Sequence, residues 1–570
     1  MRRLLMLMFR RHRSVFASNI FRLALRLVLV AMSAMSVLVS NAMAQTESVN
    51  QTDDLLAYID RSWDALTRSM VDCKTLVDPK VKHPATIYLP HDYPEPPELQ
   101  ALQKKCDVRI RRLPQAIHNI GEFDPTRLPK QGLLYLPNPY VVPGGRFNEM
   151  YGWDSYFILL GLLRDHRFDL ARGMVENFFF EIEHYGGILN ANRTYYLTRS
   201  QPPFLSSMVM AVYDAENDTQ AKRAWLDKAY PYLQHDYRMW TEGQHLAGDT
   251  GLSRYFDFGE GPVPEVGAKD SSYYLQVFRY LQASRERPEY LGEPGHSPEK
   301  LTGPTYTLEV CEHAGGRKLC QTSFSYQFTA DYYLGDRAMR ESGFDVTFRF
   351  GAFGGRTHHY APVCLNSLLY KTETDMTGIA KLLGKSNDSR EWSARAEKRK
   401  QLINHYLWDH KRGMFFDYDF TQNEISDYEY ATTFYPLWAG LATDEQAKTV
   451  MSQLATFERP GGLAMSPYDT GVQWDLPYGW APVHLLAVEG MRRYGYSSDA
   501  DRVARKWIET VAENFHHDDT IREKYNVVTR SSAAEVTAGY EVNVVGFGWT
   551  NAVVLEFAHH LRLGDTVEPK

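Results

Sequence analysis

The chain reads as an all-α protein, a helical bundle or toroid whose functional groups sit in the loops between helices. Three observations carry that reading. Several long segments repeat apolar residues at helical spacing, clean period-two alternation is scarce, and the helical segments are joined by long loops rich in aromatics, Gly and Pro.

The elements follow in order. Phe168, Ala171, Met174, Val175, Phe178, Phe179 and Ile182 fall on one apolar helix face, and Leu365, Leu368, Leu369, Thr372, Met376, Ile379 and Leu383 on another. A third helix is expected from Asp388, after an acidic-polar opening, to Leu407. Others are expected over 444–457, 483–494 and 498–515, and Gly413 to Tyr418 reads as turns or a small hairpin. The stretch 290–340 differs in character and is expected to be an inserted lid or decoration. It contains Cys311 and Cys320 around HAGGRK, a pair that could close a small disulfide loop, although connectivity is not readable from sequence.

Composition narrows the function. The 570 residues are 44% hydrophobic and 23% charged, with a net charge of −7, which argues against nucleic acid or an anionic membrane surface as partner. A core of this size needs neither metal nor disulfides. None of the five cysteines (Cys73, Cys106, Cys311, Cys320, Cys364) has zinc-ligand spacing, so no metal and no cofactor are expected. The 36 Tyr and 11 Trp suit a surface that stacks rings, and equally a well-packed core.

At the N-terminus, Arg2, Arg3, Arg10, Arg11 and Arg13 precede an apolar run from Leu27 to Val39 and then Ala42-Met43-Ala44. The pattern reads as a signal peptide over 1–44, cleaved before Gln45, with an uncleaved anchor as the alternative. The expectation is an exported, monomeric, single-domain protein over 45–570, with no stable membrane insertion after cleavage. Its expected location is the periplasm, with secretion to the medium as the alternative.

Two loop clusters carry chemistry. Pro143-Gly144-Gly145-Arg146-Phe147-Asn148-Glu149-Met150-Tyr151-Gly152-Trp153-Asp154-Ser155-Tyr156 gathers a cation, acids and aromatics ahead of an apolar helix, where Asp154 could also be a simple N-cap. Gln473-Trp474-Asp475-Leu476-Pro477-Tyr478-Gly479-Trp480-Ala481-Pro482 repeats the scheme. Such a mix offers ring faces for an apolar sugar face and polar groups for hydroxyls.

Both segments resemble the signature segments of the trehalases, glycoside hydrolase family 37. DCKTLVDPK from Asp72, LNANRTYYLTRSQPP from Leu189, RESGFD from Arg340, LNSLLYKTE from Leu365, REKYNV from Arg522 and GFGWTN from Gly546 support the resemblance, in the family's order and over most of the chain. It implies an (α/α)6 toroid with a pocket at one end, and hydrolysis of α,α-trehalose with inversion. It places the general acid on Asp345 and the general base on Glu523. Substrate-binding positions fall on Arg146, Trp153, Asp154, Asn190, Arg199, Ser200, Gln201, Arg287, Pro288, Glu289 and Gly343.

The chemistry is consistent with that placement. Hydrolysing a sugar acetal needs a proton for the leaving oxygen and a base for the attacking water, and two carboxyls with separated pKa values supply both. Arg146, Arg199 and Arg287 offer planar donor forks for hydroxyls and are expected to hold the base ionised.

The chain departs from the family's pattern in three places. The glycine run expected after Glu523 is replaced by Val527 to Tyr540, with Glu541 as the candidate for the family's acid there; Phe344 and Phe350 stand where Trp is common; and 290–340 is longer. A stiffer loop after Glu523 leaves room for a preference for another small α-linked disaccharide. A non-catalytic sugar-binding protein is expected to lack Asp345 or Glu523, and both are present.

Overall fold

The computed structural model describes residues 53–76, 85–266, 272–284, 290–292, 303, 305–314, 317–536 and 543–563. The chain divides into a body, Tyr58–Leu561, and a terminal unit of Met1–Ala57 with Arg562–Lys570, of which the helical 53–57 and the turn at 562–563 are described. The expected signal segment 1–44 lies outside the described residues.

The helices are α1 (53–66), α2 (Pro97–Lys105), α3 (Asp154–Arg164), α4 (Phe168–Tyr185) and α5 (Leu205–Ala215). Then come α6 (Thr219–Thr241), α7 (Ser272–Ser284), α8 (Ala330–Glu341), α9 (Val363–Leu382) and α10 (Ser386–Tyr406). The series ends with α11 (Tyr435–Trp438), α12 (Asp444–Ser452), α13 (Ala481–Arg493), α14 (Ser497–Asp518) and α15 (Gly548–His560).

Helices α3, α5, α9, α11, α13 and α15 pack side by side in that order, and α15 closes back onto α3. They form the inner ring of an (α/α)6 toroid. Helices α4, α6, α10 and α14 pack on them from outside. The two layers are legible in burial. Inner α15 buries every residue from Gly548 to Ala558, as a helix surrounded by others must. Outer α10 buries only the stripe Trp392, Ala396, Arg399 and Ile403, and its buried guanidinium donates to Glu373 Oε1 of α9 at 2.7 Å. Ring closure depends on a small residue: a Cβ on Gly161 of α3 would stand 2.8 Å from the Ala552 Cβ of α15.

The periodic segments become α4, α9, α10, α12, α13 and α14. Helix α12 stops earlier than expected, at Ser452, and a 3-10 turn over Leu454–Thr456 completes the segment. Its start is fixed by a capping box between Thr443 and Gln446. Helix α6, 23 residues long with Pro231 inside, was not anticipated.

The described part of the stretch 290–340 is regular structure. It forms an antiparallel hairpin of Tyr306–Ala314 with Arg317–Phe328, then runs into α8. The hairpin base packs on α7, with Phe278 stacked on Tyr326 at 4.6 Å and Tyr274 on Tyr306 at 6.0 Å. Cys311 and Cys320 are cross-strand partners in its backbone register. A disulfide joins Cys73 to Cys106, and Cys364 is free and buried. A small parallel sheet sets Ala85–Leu89 between Val108–Arg112 and Leu133–Leu134. Among the described residues no helix is long and apolar enough to cross a membrane.

Candidate active site

A cavity of about 180 Å³ opens at the end of the toroid where α3, α13 and α15 begin; Asp154, Trp480 and Trp549 all line it. Its apolar wall is a cluster of indoles. Trp474 stacks on Trp480 at 3.8 Å with planes 6° apart, and Trp549 stands edge-on to Trp153 and Trp480 at 5.7 and 5.8 Å. Phe344 backs this wall, 5.6 Å from Trp153 and 5.1 Å from Trp474. Behind it lies the Arg349 guanidinium, bound at both ends by Asp417 at 2.7 and 2.6 Å. The wall is therefore fixed from behind by a buried ion pair.

Asp345 reaches the cavity from the turn after α8. Gly343 makes that turn with φ +77°, and a Cβ there would sit 2.8 Å from the Trp153 ring, so only glycine satisfies both demands. The Asp345 carbonyl accepts from the Gln473 amide, and the Arg340 guanidinium lies 3.5 Å from the Asp345 carboxyl. Burial dominates nonetheless. It pushes the carboxyl up to about 7, against the pull of Arg340 and Arg199 and with a further push from Glu265. At neutral pH a large share of this acid holds its proton.

Glu523 arrives on the segment between α14 and α15. Its N–H donates to the Val544 carbonyl at 3.0 Å, and its own carbonyl accepts from Trp549 Nε1 at 3.2 Å. Its carboxylate pairs with Lys524 Nζ at 3.0 Å. Lys524, which the sequence reading left out, is fully buried over the Trp480 ring at 5.2 Å. The rebuilt loop braces the pair: the Asn543 amide donates to the Lys524 and Ser532 carbonyls at 2.9 and 2.7 Å. Glu541 lies outside the described residues.

Asp154 is the first residue of α3 rather than its cap, a position that falls on Trp153. Burial raises its carboxyl well above the usual range, and the charges of Glu523 and Asp345 add to the rise. Arg199 is held by Asn190 Oδ1 at 2.8 Å, by Glu265 and by Asp257 at 3.6 Å, and lies over Tyr196 at 4.9 Å. Burial works to raise Glu265, but Arg199 and Arg340 overcome it and hold this acid below its ordinary value. Gln201 Oε1 accepts from the Trp153 N–H at 3.1 Å.

Of the residues named from sequence, Arg146, Trp153, Asp154, Asn190, Arg199, Gln201, Gly343, Asp345 and Glu523 share the cavity surface. Ser200 does not join them. Its hydroxyl donates to the Ile188 carbonyl at 2.6 Å and its N–H to Glu341 at 3.2 Å. Arg287, Pro288 and Glu289 lie outside the described residues. Asp475, read as a hydroxyl-binding group, turns away instead and accepts from the Phe348 N–H at 3.0 Å and the Thr470 hydroxyl at 2.8 Å. Glu265 and Arg340 were not assigned from sequence. Arg340 stood in the RESGFD segment and could have been found there, whereas Glu265 sits in a Gly/Pro-rich run with no pattern around it.

A carboxyl raised by burial, an ion-paired carboxylate, indole walls and forked donors line one cavity of a helical toroid, the groups that glycoside hydrolysis calls for. The chain belongs to the Trehalase family, which it matches over residues 33–298 and 317–562. The interval between the matched parts, 299–316, contains the first strand of the hairpin. The cytosolic neutral trehalase of Emericella nidulans is 37% identical over 73% of this chain, which spans 56% of that relative's length. A probable trehalase of Saccharomyces cerevisiae is 36% identical, over 86% of this chain and 67% of the relative. The structure of neutral trehalase Nth1 from Saccharomyces cerevisiae superposes with a TM-score of 0.71 at 33% identity, covering 91% of this chain and 96% of that one.

These relatives overturn one expectation. The N-terminal pattern pointed to export and the periplasm, yet several relatives are named cytosolic neutral trehalases, among them those of Emericella nidulans and Neurospora crassa. A short basic-then-apolar stretch reports its own composition and does not by itself fix where the chain resides.

Proposed function

We propose that this chain hydrolyses α,α-trehalose to two glucose molecules with inversion at the attacked carbon. Asp345 donates its proton to the bridging oxygen as the C–O bond breaks. Water adds to the anomeric carbon from the opposite face, and Glu523 takes the water proton. One β-glucose and one α-glucose leave, and the proton returns from Glu523 to Asp345 through solvent. The observation that carries this reading is the contrast between the two acids: Asp345 is pushed up to about 7 by burial, while Glu523 is ion-paired with Lys524 on the same cavity.

The other cavity residues act on binding in this reading. The indoles of Trp153, Trp474 and Trp480 take apolar sugar faces. Arg146, Arg199, Asn190, Gln201 and Asp154 bind hydroxyls, and Gly343 leaves room at the acid. Arg287 and Glu289 belong to this binding set on the family resemblance.

Glucose release from trehalose by the wild type, Asp345→Asn and Glu523→Gln tests the reading. Losing a general acid or base costs about 10²–10⁴-fold in kcat. Folded wild-type protein that releases no glucose, or folded variants with wild-type rates, overturn it.

A further inference from the structure

We infer that Asp331, His358 and His359 form a binding site for a divalent transition ion of the zinc type, separate from the sugar pocket. Asp331 lies in the first turn of α8, and the two histidines end the 3-10 turn Thr357–His359 that precedes α9. Both imidazoles turn Nε2 toward the same carboxylate oxygen, at 2.9 Å for His358 and 3.3 Å for His359. The three ligand-type atoms all lie within 4.8 Å of one another. Zinc bonds of about 2.0–2.2 Å set the edges of a tetrahedral site at roughly 3.3–3.5 Å, so the cluster needs only small side-chain shifts to receive the ion.

The donor set chooses the metal. Two imidazoles with one carboxylate favour zinc and its transition-metal neighbours over calcium or magnesium, which prefer oxygen ligands. His358 is buried and Asp331 half exposed, so the site is anchored on one side and open to a water ligand on the other. Neither Nδ1 has a hydrogen-bond partner among the described residues. No second bond ties either ring to the Nε2–H tautomer. Moving the proton to Nδ1 frees both Nε2 lone pairs for the ion without net proton release. The opposing charge is Arg254, whose Nη1 donates to the His358 carbonyl at 2.8 Å and limits affinity.

Asp331 and His358 are 27 residues apart, and the chain between them carries Asp345. A bound ion closes the base of that loop, stapling the start of α8 to the turn before α9. It stabilises the segment that presents the acid without touching substrate.

The test uses the full chain stripped with a chelator and titrated with Zn²⁺ by calorimetry, then with Co²⁺ by visible absorption. The expected result is one strong zinc site per chain, a higher melting temperature on binding, and the d–d bands of a four-coordinate cobalt site. Asp331→Asn and His359→Ala, read against circular dichroism to show that each is folded, weaken binding at least tenfold and remove the cobalt bands. Wild-type protein without a stoichiometric site, or folded variants that bind zinc and cobalt as the wild type does, overturns the proposal.

Discussion

Replacing Arg340 with Gln should move the alkaline limb of the pH–activity profile upward. Arg340 lies 3.5 Å from the Asp345 carboxyl, is itself almost fully buried, and is the foremost of the groups that pull the carboxyl down against burial. Two unit charges at that separation interact by roughly 5 kcal/mol at an effective dielectric of about 20, an upper figure equal to about 3.5 pKa units. Aspartates beside arginines shift by about 1–3 units, so Arg340→Gln should raise Asp345 by about that amount. The sign follows from its role. A general acid works while protonated, so activity falls as pH rises through its pKa, which is about 7 in the wild type. In Arg340→Gln the fall in kcat/KM should come about 1–3 units higher, whatever happens to its plateau, and Arg340→Lys should restore it. Asp336, paired with Arg340 one turn back on α8, keeps its hydrogen bonds from the Tyr273 and Tyr274 hydroxyls at 2.9 and 3.0 Å, so the variant retains its packing there. The assay is glucose release from trehalose between about pH 5 and pH 10, extracting kcat/KM at each value. A folded variant whose limb stays in place or moves down would show that Asp345 is not the acid, or that Arg340 does not govern it.

Three further outcomes follow from the same geometry. Because the folded-state pKa of Asp345, about 7, exceeds its ordinary 3.8, stability is unaffected below about pH 4 and falls as pH rises toward 7, by roughly 4 kcal/mol in all. Asp345→Asn should therefore melt higher than wild type at pH 8 and equal to it at pH 4, in parallel calorimetric scans. Gly343→Ala forces a Cβ against the Trp153 ring at positive φ and should cost about 2–4 kcal/mol in urea unfolding, with altered tryptophan fluorescence. Asp417→Asn leaves the Arg349 charge buried behind Phe344 and should cost about 3–5 kcal/mol by the same measurement.

What the sequence made legible, and what it hid, has physical causes. Outer α4 meets water on one side, so its apolar stripe showed directly, while outer α10 was marked by its acidic-polar opening. Among the inner helices, α9 showed its stripe and the aromatic clusters ahead of α3 and α13 marked those two, whereas α15 is buried all round, has no stripe to read and was not expected as a helix. The hairpin Tyr306–Phe328 lies in the stretch expected only as an inserted lid or decoration, because cross-strand pairing is information that a local pattern carries weakly. In the site, Asp345 and Glu523 were placed by motif order. Burial, which raises the Asp345 carboxyl, comes from tertiary packing and is invisible in the segment itself. Ser200 illustrates the converse: a motif position can serve the loop's own backbone rather than the cavity. Glu265 was missed because its partner Arg199 lies 66 residues away.

The most direct test of the central claim is proton NMR of the anomeric signals during the first moments of trehalose hydrolysis, before mutarotation mixes them. The account predicts equal amounts of α- and β-glucose from the wild type and none from Asp345→Asn. Early product that is α-glucose alone would mean retention, and it would contradict the assignment of Asp345 and Glu523 as an inverting acid and base.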